Sequence, residues 1–218
     1  MADPKIEKWL RWMRVIHDEV RELLVAEHIF WNMQKLIRSN KGLRKPSAYY
    51  KYMGDAHSVL VLAGVRRQVK TDSQSISLAR LLGEVRDNAQ LVSREYFRGL
   101  YVGSTVADLA DATFNRLAGK RSAHFPKERA ARDLAGLNAR ALECEEFADR
   151  RIAHRDTRPP KSVVKFSHAS RSIVLMDRLW CKYDLLLNAN WTDTLMPTFQ
   201  DDWAEVFDVA WRKKSLRG

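Results

Sequence analysis

The stretch from Lys5 to Arg38 contains neither glycine nor proline. Its apolar residues recur at Ile6, Trp9, Met13, Ile16, Val20, Leu23, Leu24, Phe30, Trp31 and Ile37. That spacing follows one face of a helix over many turns and does not fit the period-two alternation of a strand. A helix this long, apolar along one face, has to bury that face against other helices. Asp3 is placed to cap it, with Pro4 at the first helical position, where a missing N–H costs nothing. Breakers are scarce elsewhere too, with nine glycines and six prolines in 218 residues.

The same pattern resumes along the chain. Gly42 and Pro46 end the first helix. Ser47 is placed to cap a second, from Ala48 to about Lys70, carrying Tyr49, Tyr52, Met53, Ala56, Val59, Leu60, Ala63 and Val65. Ser75 or Ser77 caps a third, with Ile76, Leu78, Leu81, Leu82 and Val85 inside. A shorter helix is expected from about Val106 to Leu117, and another from Pro126 to about His154. On that last helix Ala130, Leu134, Leu137, Ala141, Cys144, Ala148 and Ile152 share one sector. Pro159 and Pro160 stop it. A final long helix runs from about Val163 to Asn188, with Phe166, Ile173, Val174, Leu179, Trp180, Tyr183 and Leu187 inward, and a short one covers about 202–213 before a basic tail. The expected fold is all-α, a bundle of about five to seven helices with the first two long, forming one domain over 1–218.

Composition narrows the function classes. Apolar residues make up 45% and charged residues 30%, which describes a globular chain. The opening MADPKIEKWLRW has no signal pattern, and the longest apolar run, VLVLAGV at 59–65, is far short of a membrane span. The expectation is a cytoplasmic protein without membrane contact. The two cysteines, Cys144 and Cys181, lack metal spacing and read as buried free thiols. There is no Gly-rich phosphate loop, HExxH or CxxC, so neither cofactor nor metal is expected. The net charge of +11 points to a polyanionic partner, with nucleic acid the commonest. The basic residues cluster at Arg66, Arg67 and Lys70, from Arg150 to Arg158, and from Arg212 to Arg217.

The densest cluster is ADRRIAHRD, residues 148–156, followed by Arg158 and the double proline. Arg150 and His154 are i, i+4 neighbours on a helix, so their side chains can meet. Together with SISLARLL at 75–82, which follows a helix ending in VRRQ, this order resembles the HEPN-like family of the abortive-infection AbiU type. The resemblance covers roughly residues 5–190. It implies a helical bundle, a link to phage defence or toxin–antitoxin biology, a homodimer, and RNA as partner. An antitoxin or another partner protein is also implied.

The broader superfamily includes metal-independent ribonucleases, whose signature is an Arg, a polar residue, three variable residues and a His. By that resemblance His154 would transfer protons, Arg150 and Arg151 would hold the scissile phosphate, and Asp156 would orient His154 or Arg151. The residue types suit the chemistry, because guanidinium stabilises charge on phosphate and imidazole titrates near neutrality. Arg66, Arg67, Arg155 and Arg158 would add phosphate contacts. The chain departs from the signature at Asp149, an acid where the signature has its Arg. The competing expectation is a catalytically inert helical module that dimerises or docks a partner. His17, His28, His57, His124 and His168 read as boundary histidines. His57 with Asp55, and His168 with Ser167, would join a polar site only if the fold brought them to His154.

Overall fold

A computed structural model describes residues 3–153, 157 and 164–208. Among these residues the chain is all-helical, with α1 (Pro4–Ser39), α2 (Ala48–Val69), α3 (Leu78–Asp87), α4 (Arg94–Gly99), α5 (Ala110–Ala118), α6 (Lys127–Phe147) and α7 (Phe166–Asn188). A π-helical turn, Ala148–Ala153, extends α6. Among the described residues the one extended pairing is an isolated bridge between Ser93 and His124.

Local chemistry sets the helix starts. Asp3 Oδ1 accepts from Lys5 N at 2.8 Å with Pro4 behind it, and Ser47 accepts from Tyr49 N. Of the two serines offered for α3, Ser77 is the cap, accepting from Arg80 N at 3.1 Å. Buried Gln68 completes that start by accepting from Leu78 N at 3.0 Å. Ile76 therefore lies before α3 and is exposed, not inside it. The helix expected from Val106 begins as a tighter 3₁₀ turn at Ala107–Leu109 and becomes α-helical at Ala110. At 202–208 the described chain contains a single 3₁₀ turn, Glu205–Phe207.

The four long helices close a ring in which α1 packs on α7, α7 on α6, α6 on α2 and α2 on α1, with α3 laid against α6. Cross-links give the directions. Trp180 Nε1 donates to Met13 O at 2.9 Å, while Ser170 reaches Glu27, so α1 and α7 are antiparallel. Glu27 meets His57 and Glu19 meets Gln68, so α1 and α2 are antiparallel too. This is the up-down-up-down bundle in which apolar stripes all face one axis. Its core holds Trp9, Met13, Ile16, Val65, Leu137, Met176 and Tyr183. The predicted α6 stripe holds, with Ala130, Leu137, Ala141, Cys144 and Ala148 buried, and Leu134 and Ile152 packed against the core.

The expected span of α2 holds, but its inner face differs from the expectation. Val65 is buried, but Tyr49, Tyr52, Val59 and Leu60 are exposed, and the inner face is His57, Val61, Leu62, Gly64, Val65, Gln68 and Val69. The helix is apolar on two sides, so periodicity alone could not choose between them. Val174 on α7 is likewise 43% exposed. Gly64 faces Leu23 of α1, and a Cβ there would overlap the Leu23 side chain.

Candidate functional site

α2 and α6 run antiparallel and are offset so that their C-terminal ends overlap, with Lys70 opposite Glu145 and Arg66 opposite Asp149. Arg66 and Lys70 come from α2; Glu145 and Asp149 come from the end of α6. The Arg66 guanidinium donates to Asp149 Oδ1. Lys70 Nζ donates to Glu145 Oε1 at 3.0 Å and lies 3.5 Å from Asp149 Oδ2. Burial pushes the Asp149 carboxyl pKa up, but the hydrogen bond from Arg66 and the Lys70 charge outweigh it and hold the group below its ordinary value. The acid at the signature position is therefore charge-compensated. Arg66 and Lys70, the cations that neutralise it, are committed to that task.

Arg67 faces the other way, 3.4 Å from Glu19 on α1, at an exposed site. Arg150 and Arg151 lie one step beyond Asp149, on the π turn. Arg151 is exposed and Arg150 half-buried. Ala148 is buried and Ile152 packs on the core, which anchors the turn from both sides. In a π turn the backbone bonds run i→i+5, so the α-helical wheel stops describing residues from Ala148 onward. His154, Arg155, Asp156 and Arg158 lie outside the described residues. Of the eight residues singled out from sequence, four are thus placed. Arg66 joins the Asp149 side of the motif, Arg150 and Arg151 lie next to it, and Arg67 does not join it.

A second polar centre was missed from sequence. Glu27 Oε1 and His57 Nε2 are 3.0 Å apart, both groups buried between α1 and α2. Glu27 Oε2 also accepts from Trp31 Nε1 at 3.0 Å and from Ser170 Oγ at 2.5 Å. Phe30 stacks flat on the His57 ring, with centroids 3.9 Å apart. Burial raises the Glu27 carboxyl pKa, yet His57, Ser170 and Trp31 together carry it below the ordinary value. The signal was present in the sequence, since Glu27 falls at helical spacing within the Val20–Leu23–Leu24–Phe30 stripe. An acid inside an apolar stripe has to find donors. His57 sits about 13.5 Å along α2 from Arg66, so this centre and the Asp149 cluster are separate.

The other histidines are also engaged. His17 pairs with Asp18, and His168 abuts Glu143, not a group near the motif. Among the described residues no set of three or more His, Cys, Asp or Glu is arranged to hold a metal ion. No described helix is long and apolar enough to cross a membrane. Compared with known proteins, the chain matches no family model, no curated protein and no solved structure.

Proposed function

We propose that this chain is a HEPN-like RNA-binding protein of the phage-defence or toxin–antitoxin type, contacting phosphate through the Arg150–Arg151 step. The observation that carries the reading is the charge arrangement at the end of α6. Asp149 is satisfied by Arg66 and Lys70, while Arg151, two residues on in the same π-helical turn, is exposed. An arginine there can meet phosphate in a bidentate contact without first breaking the Asp149 pair. The net charge of +11 supplies long-range attraction for the same partner.

In this reading His154 carries any proton transfer, with Asp156 orienting it. Arg155 and Arg158 extend the phosphate contacts. Binding is tested with a labelled single-stranded RNA. Arg150→Ala/Arg151→Ala should weaken binding and flatten its salt dependence, and an unchanged salt slope would remove these residues from the contact. Cleavage is tested in EDTA. RNA degraded by the wild type and preserved by His154→Ala assigns the proton transfer to His154. Equal degradation by both excludes it.

One observation favours a second reading, an inert module that pairs with a copy of itself. The outward side of α2 carries Tyr49, Tyr52, Val59 and Leu60 exposed at helical spacing. Light scattering should then give a dimer for the wild type and a monomer for Tyr52→Lys/Leu60→Lys.

A further inference from the structure

The groove between α6 and α7 carries a charge pattern that the motif does not use. The two helices are antiparallel, and Ser172 Oγ donates to Arg140 O at 3.1 Å, fixing their register. Between them lies an open groove of about 440 Å³ lined by Gly136, Ala139, Arg140, Glu143, His168 and Arg171. Its floor is low because of residue size: a Cβ at Gly136 would meet nothing within 4 Å.

At one end of the groove His168 Nδ1 abuts the Glu143 carboxylate. Beyond the groove, further along the α6–α7 contact, Lys182 Nζ lies 2.5 Å from Asp133 Oδ2, to which Tyr183 also donates at 3.0 Å. Arg140 and Arg171 line the groove, and Arg178 lies two turns on along the same face of α7; all three are exposed, and no described carboxylate pairs with any of them. Several arginines elsewhere on the surface are matched. Arg66, Arg67, Arg86, Arg94 and Arg98 each have an acid beside them. The groove therefore gathers unmatched guanidinium groups from two helices over a floor without side-chain bulk.

Phosphate fits that chemistry, since each guanidinium offers a planar fork of donors. Arg140 and Arg171 face one another across the groove and can share one phosphate. Arg178 is seven residues further along α7, about 10.5 Å by helical rise, which places it beside a different phosphate. The spacing suits a ligand with phosphates in series better than a single anion.

We infer that the α6–α7 groove is a phosphate track, in which Arg140 and Arg171 hold one phosphate of an RNA backbone and Arg178 holds a later one. The identity of the ligand as RNA rests on the reading above, whereas the phosphate chemistry rests on the groove itself. The test titrates a uridine dodecamer and, separately, inorganic polyphosphate onto the full chain, the Arg140→Gln/Arg171→Gln variant and the Arg150→Ala/Arg151→Ala variant, at several salt concentrations. Arg140, Arg171 and Arg151 are exposed and Arg150 is half-buried, so matching circular dichroism melts check that each variant folds.

The groove variant should bind both ligands at least tenfold more weakly. The slope of log affinity against log salt for RNA should fall by about 0.7, the value for one phosphate contact on a single strand. Unchanged affinity and slope in the groove variant overturn the inference, and if the Arg150/Arg151 variant still loses RNA the broader reading survives. Polyphosphate held through the groove with no RNA binding by the wild type sinks the RNA reading and leaves the track. Binding of neither ligand overturns both.

Discussion

The Asp149 carboxylate is held by the Arg66 guanidinium across the α2–α6 contact, with Lys70 3.5 Å away on its other oxygen. The acid and these cations form a fixed unit. Arg150 and Arg151 next to them carry charge on a turn that the core anchors through Ala148 and Ile152.

Asp149→Asn tests that unit. It removes one negative charge beside the proposed contact and releases Arg66, so RNA affinity should rise and its salt dependence steepen. Stability should fall by less than about 1 kcal/mol, because the pair is part-exposed and screened. The Asp149 carboxyl pKa is depressed in the fold, so its stabilising contribution is full above the ordinary carboxylate range. It is lost as pH falls through the folded value. The stability difference between wild type and variant should accordingly vanish in strong acid. Filter binding and urea melts at stepped pH measure the two effects. A variant that binds RNA no better than wild type would detach Asp149 from the contact.

Glu27 provides the larger stability effect. Glu27→Ala leaves His57, Trp31 and Ser170 without their shared acceptor in a buried site. Breaking one side of such a buried set costs about 3–5 kcal/mol. Because the Glu27 pKa is lowered by folding, the wild-type advantage should be complete above the ordinary carboxylate value of 4.5 and shrink as pH drops below it. Urea denaturation of both proteins at pH 7 and in acid decides this. A constant gap across that range would mean the carboxylate charge is not what the fold uses.

These two centres also show what the sequence made legible. Helix starts were readable because caps are local: Asp3, Ser47 and Ser77 each reach a backbone N–H within three residues. The α6 stripe was readable because that helix has one apolar side. The α2 face was not, since Tyr52 and Leu60 lie at spacing as regular as that of Val61 and Val65, and only its neighbours select the buried side. The partner of Asp149 was invisible for a related reason. Arg66 lies 83 residues earlier, and only the antiparallel packing of two helices brings them together.

Gly64→Ala probes the contact between α1 and α2. Leu23 is buried at that point, so the added methyl overlaps its side chain and either Leu23 or the helix spacing has to shift. The gain in helix propensity over glycine, about 1 kcal/mol, works against this. Overpacking in a filled core costs about 1–3 kcal/mol, so the net change should be destabilising. A thermal melt that rises for Gly64→Ala would show that the interface relaxes at no cost.

The cysteines give a chemical measure of the same packing. Burial pushes the Cys144 thiol up to about 11, and Glu143 reinforces this against a Ser172 hydrogen bond. Burial, aided by the charge of Asp177, pushes the Cys181 thiol up to about 12. Thiolate is the reactive form, so near pH 8 both residues should resist iodoacetamide in the folded protein and react together once it is unfolded. Mass spectrometry after a short pulse reads the outcome. Labelling of Cys181 alone under native conditions would mean that α7 opens at the turn where Asp177 holds Leu195 N at 2.7 Å and Thr194 Oγ1 at 2.7 Å.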